Sequence, residues 1–167
     1  MTTMTDASPA RSARAARISV FSGAAVLAAI DLAAKAWAGS ALPGRSISLG
    51  VIDLQLAYNP GVSFSLGASL PAWVIVSLTA AITTAVAIAA WRISPRGGLT
   101  QRIGLAAVLG GASANLIDRA LNGHVPDYLH TGWWPTFNVA DTCIVLGALT
   151  FAIGYAARPA QADTTAT

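Results

Sequence analysis

Four apolar runs, residues 18–38, 70–91, 103–121 and 139–157, leave this chain few ways to fold. Each is long enough to cross a hydrocarbon core that takes roughly 20 helical residues. A segment in lipid must satisfy its backbone hydrogen bonds internally, so the runs predict helices. Composition agrees, with 54% hydrophobic and only 10% charged residues, the charges falling in clusters. The expected fold is an all-α polytopic membrane protein with four transmembrane helices.

Basic residues set the expected orientation, because short loops rich in Lys and Arg stay in the cytoplasm. Arg11, Arg14 and Arg17 precede the first run, Arg92, Arg96 and Arg102 lie around the second turn, and Arg158 follows the fourth run. The other two connections hold only Arg45. Both termini are therefore predicted inside, with 39–69 and 122–138 outside. The polar tails, 1–17 and 158–167, are expected to be disordered around a membrane domain spanning 18–157. The net charge of +3 reads as a topology signal, so no nucleic-acid partner is expected. Cys143 is the single cysteine, which excludes an intrachain disulfide. The first run resembles a secretory signal up to AWAGS, but Asp31 and Lys35 interrupt its apolar core.

Between residues 45 and 66 the period changes. Ile52, Leu54, Leu56 and Tyr58 alternate with Asp53, Gln55 and Ala57, and Val62, Phe64 and Leu66 alternate with Ser63 and Ser65. That is strand patterning, broken by the turn residues Asn59, Pro60 and Gly61. A small β-sheet cradle is predicted on the outer surface, within about 40–69, with a loop at about 122–137. Trp73 and Trp91 bracket an uncharged second run, which reads as scaffold with interfacial anchors. No internal repeat of 20 to 50 residues is visible, so a repeat-built transporter finds no support.

The polar residues inside the runs carry the chemistry. Gly111, Asn115 and Arg119 are four apart and share a helix face with Asp118. A small-residue packing seam with a polar tip is the competing reading. Asp31 and Lys35 can pair at i, i+4, which offsets a cost of roughly 2.5–3.5 kcal/mol per charge near the bilayer centre; an isolated structural ion pair explains them equally well. Asn138 and Asp141 stand one turn apart at the head of the fourth run, as a helix cap would. The chain has no glutamate and seven acids in all, yet Asp118, Asp127 and Asp141 fall within one short stretch. Two carboxylates in a low-dielectric site cannot both ionise easily, so one holds a proton while the other acts as base. That is the equipment of an aspartic peptidase, which needs no metal or other cofactor. His124 and His130 flank Asp127, but two histidines in one loop make a weak metal site, and none is expected.

In order along the chain, Asp31 to Lys35, Asn59-Pro-Gly61-Val-Ser-Phe64, Gly110-Gly111 with Asn115-Leu-Ile-Asp118-Arg119, Gly123-His-Val-Pro-Asp127-Tyr and Phe137-Asn138-Val-Ala-Asp141 resemble the motifs of the lipoprotein signal peptidases, signal peptidase II. The resemblance implies an aspartic endopeptidase of the bacterial cytoplasmic membrane. Such an enzyme removes signal peptides from prolipoproteins, cutting before a cysteine that carries diacylglycerol. Position by position, it implies catalysis by Asp127 and Asp141, with Asn115, Arg119 and Asn138 holding substrate and Asp118 orienting Arg119. Asn59 and Gly61 match the outer motif, and Asp31 and Lys35 the first-span pair. Its partners would be lipidated prolipoproteins and membrane lipids, and a monomer is expected. Val125, Pro126 and Tyr128 depart from the two valines and the apolar residue usual around the loop aspartate, Ser63 replaces a common alanine, and the loop between the two aspartates is short. Trp133 and Trp134 read as interface anchors that could also touch substrate. The rival function is a small channel or proton-coupled transporter, which predicts acids spread through the bilayer depth.

Overall fold

The computed structural model describes residues 9–61 and 70–157. Seven elements follow one another: α1 (Pro9–Ala41), β1 (Ser46–Ser48), β2 (Asp53–Asn59), α2 (Ala72–Ile93), α3 (Leu99–Asn122), β3 (Val125–His130) and α4 (Val139–Ala156). The alternation expected at Val62, Phe64 and Leu66, and Ser63 with it, lies outside the described residues.

Three helices, α1, α2 and α4, are long and apolar enough to cross a membrane. The fourth, α3, is also long enough, roughly 36 Å at 1.5 Å per residue. It carries Gln101, Asn115 and Asp118, and it buries all three against the other helices. Because α3 packs on α1, α2 and α4, its polar residues meet protein rather than lipid. Helix α1 begins at Pro9, which corrects the expectation of a disordered tail through residue 17. Proline has no intrahelical bond to lose in a first turn, and the alanines and arginines that follow extend a helix whose nucleation is already met. Arg17 ties this extension to α2: its Nε donates to the Trp91 carbonyl at 3.1 Å and its guanidinium lies 4.3 Å from the Trp91 ring centre.

Glycines bring α3 and α4 together. A Cβ added at Gly104 would stand 2.6 Å from the Gly147 carbonyl oxygen and from the Phe151 nitrogen, and one at Gly111 would strike the Ala140 carbonyl oxygen. The seam and the polar tip weighed as alternatives for α3 are thus both present on one face. At the end of α3, Gly123 adopts φ 73° and its N–H donates to the Arg119 carbonyl, turning the chain towards β3.

The sheet is antiparallel in the order β1-β2-β3. Its hairpin turns at Leu49–Ile52, with Gly50 at φ 94°, and not at Asn59-Pro60-Gly61, which instead ends β2. The segment expected as an outer loop supplies β3, pairing Asp127 with Ala57 and Val125 with Asn59. Pro126 therefore sits on an edge strand, where a missing N–H is tolerated. Ala38, Leu42 and Tyr128 form a buried cluster with Leu54, Leu129 and Val139, so the sheet is clamped to the end of α1 and the start of α4.

Candidate active site

Asp127 reaches the site from β3 and is 3% exposed. Asn138 Nδ2 donates to its Oδ1 at 2.6 Å, and Asn59 Nδ2 to its Oδ2 at 3.2 Å. Asn59 is itself aimed by the Gly61 N–H, which donates to its Oδ1 at 3.0 Å. The carboxyl of Asp127 is pushed up to about 6, first by burial and then by the charge of Asp141; the amides of Asn138 and Asn59 oppose this without cancelling it.

Asp141 occupies the first turn of α4, in a reciprocal cap. Its N–H donates to Asn138 Oδ1 at 2.9 Å, and the Asn138 N–H donates to Asp141 Oδ2 at 3.3 Å. Asn115 Nδ2 donates to Asp141 Oδ1 at 2.8 Å across the glycine seam. Asn138 thus touches both aspartates, one through its amide nitrogen and the other through its amide oxygen and backbone.

Behind Asn115 lies Lys35. Its Nζ donates to Asn115 Oδ1 at 2.7 Å and is held between Asp118 Oδ2 at 2.8 Å and Asp31 Oδ2 at 2.7 Å. Asp31 Oδ1 accepts the Ala140 N–H at 2.7 Å, so the first-helix pair also holds the start of α4. Asp31 and Lys35 are therefore not an isolated ion pair. Asp118 directs its carboxylate to Lys35, rather than to Arg119 as expected. Arg119 Nη1 instead makes a long bond of 3.4 Å to the Asn115 carbonyl, and its buried Nε has no partner among the described residues. Asp141, Asp127 and Asp118 all lie close enough for their charges to act on the half-buried guanidinium.

Every residue singled out for the site lies in or beside this network. The histidines have other partners: His124 packs edge-on to Tyr58 at 4.6 Å between ring centres, and His130 Nδ1 meets Thr136 Oγ1 at 3.3 Å. An open cavity of about 410 Å³ reaches Asp141 between Trp133, Trp134, Phe137 and Val145, so both tryptophans face the site. Tyr128 was not singled out for a role. It is buried, its phenol is pushed up to about 12 by burial and then by the charge of Asp31, and it lies against the backbone of Val139 without a hydrogen bond of normal geometry. Its polar ring at a position where the resemblance expects an apolar one was the available signal.

A family model described as signal peptidase (SPase) II matches residues 23–156. A lipoprotein signal peptidase of Rhodococcus jostii (strain RHA1) is 37% identical over 147 residues, covering 80% of this chain and 70% of the relative. One of Mycobacterium leprae (strain Br4923) is 35% identical over 135 residues, covering 75% of this chain and 65% of the relative. A bacterial membrane enzyme solved by the in meso method at 2.3 Å shares the fold, with a TM-score of 0.75 at 19% identity over 89% of this chain and 93% of its own. The fold of that enzyme, the family model and relatives identical at more than a third of aligned positions agree, and the chain belongs to the signal peptidase II family.

Proposed function

We propose that Asp127 and Asp141 are the catalytic pair with which this chain removes signal peptides from prolipoproteins. The cut falls before a cysteine already carrying diacylglycerol, and the lipid stays in the bilayer while the peptide bond enters beside the pair. The observation that carries the reading is the Asn138 bridge, which holds the buried carboxyl of Asp127 and the half-buried one of Asp141, from different elements, in one site. Asp127, with its raised pKa, supplies the proton to the scissile carbonyl oxygen. Asp141 removes a proton from the attacking water. Arg119, with an unspent donor near both acids, stabilises the developing oxyanion. Asn115, Lys35, Asp31 and Asp118 position Asp141 from behind. One chain supplies all these groups, so a monomer suffices.

The site lies at the opposite end of the helices from Arg11, Arg14, Arg17, Arg92 and Arg102. With the arginines cytoplasmic, it opens at the outer face of the bacterial cytoplasmic membrane. The acids Asp31, Asp118, Asp127 and Asp141, with Lys35, gather towards that end and are not spread through the bilayer depth, which favours surface chemistry over the transporter reading. Asp127→Asn and Asp141→Asn, made separately in folded protein, are each expected to lower kcat on a lipidated precursor peptide by at least about 100-fold. Full activity of either variant removes that residue from the pair, and equal cleavage of a non-lipidated precursor removes the lipoprotein specificity.

A further inference from the structure

The arginine-rich end of the bundle contains a groove that peptide cleavage does not use. It runs between α1 and α3, encloses about 250 Å³ and is walled by Val20, Leu27, Leu99 and Ile103, with Gly23 opening its floor. Leu99 and Ile103 are 73% and 54% exposed, so the groove opens to the apolar surroundings of the bundle. Arg102 stands on the same face of α3 as these two and lines the groove. Its Nε donates to the Ser94 carbonyl at the end of α2, at 2.9 Å. That bond fixes the plane of the guanidinium, and its terminal nitrogens have no partner among the described residues. Along α3, Arg102 lies about 20 Å from Asn115, well away from the aspartates.

A free anion gains nothing from an apolar slot, and a neutral lipid gains nothing from an oriented guanidinium. A molecule with a negative head and a hydrocarbon tail uses both. We propose that the α1–α3 groove binds one anionic phospholipid, with an acyl chain along Val20, Leu27 and Ile103 and the headgroup phosphate on Arg102. The proposal does not depend on which side of the membrane the arginines face.

The test is native mass spectrometry of the full chain in a neutral detergent, offered dioleoylphosphatidylglycerol or dioleoylphosphatidylcholine. One phosphatidylglycerol is expected to be retained with a preference of about fivefold, the contribution of one arginine to an anionic lipid. R102Q should erase the preference. S19W, at an exposed position lining the groove, should lower retention of both lipids and keeps the test valid if R102Q misfolds. R92Q, an exposed arginine at the same end but not lining the groove, should leave the preference within twofold of the parent. Equal retention of the two lipids by the parent, or a loss in R92Q as large as in R102Q, overturns the proposal. Displacement of the lipid by millimolar glycerophosphate assigns the affinity to the free anion and overturns it too. So does a dimer that S19W abolishes, which assigns the groove to a second copy.

Discussion

Replacing Lys35 by methionine removes the cation held between Asp31, Asp118 and the side-chain amide oxygen of Asn115. Uncompensated buried charge typically costs about 3–5 kcal/mol, and K35M is expected to lower thermal stability in detergent accordingly. Asp127 makes its own contribution depend on pH. Its folded value of about 6 exceeds the ordinary 3.8, so the stability it contributes is complete below 3.8 and is lost as pH rises through 6. The loss is on the order of 3 kcal/mol at about 1.4 kcal/mol per unit. Thermal melts of D127N and the parent should therefore diverge most in the variant's favour above pH 7 and converge towards the acid side. For the same reason the alkaline limb of kcat/KM should have an apparent midpoint near pH 6 in the free enzyme, because Asp127 must carry its proton to donate it.

At the scale of elements, Asn138 serves both the helix and the chemistry. A serine there keeps an acceptor for the Asp141 N–H but has no amide for Asp127. N138S is expected to retain stability within about 1 kcal/mol, as good caps exchange for one another, while kcat falls at least tenfold. Equal losses of both would make Asn138 a cap alone. The glycine seam between α3 and α4 predicts the reverse pattern. Gly104→Leu forces a side chain into the Gly147 and Phe151 backbone and should destabilise by about 1–3 kcal/mol, with activity falling in proportion to folded protein. The helices were legible in the sequence because lipid imposes length and apolarity, which a single run of residues reveals. The start of α1 was not, since polar, alanine-rich sequence is compatible with either helix or coil until the helix beyond it forms. Strand β3 was hidden for a different reason: its six residues, with Pro126 among them, read as loop until β2 offers a partner.

For the whole molecule, the arrangement separates two ends. Arg11, Arg14, Arg17, Arg92 and Arg102 and the proposed lipid groove occupy one, and the acids, Arg119, the sheet and the tryptophan-lined cavity occupy the other. Trp133→Ala, at 81% exposure beside the cavity, should raise KM for a lipidated precursor several-fold with little change in stability, as checked by initial rates and thermal melts. The sequence by itself determined the membrane class, the helices in it and the cluster Asp118, Asp127 and Asp141, because hydropathy and scarce acids are local signals; the resemblance to signal peptidase II singled out Asp127 and Asp141 among the three. Only the tertiary structure decided that Asp118 meets Lys35 and not Arg119, that Asp31 holds the start of α4, and that Asn138 spans the two aspartates. Apart from the local Asn138–Asp141 cap, those contacts join residues from 11 to 109 positions apart, and no local pattern encodes which buried donor finds which acceptor until the glycine seam and the sheet fix the distances between elements.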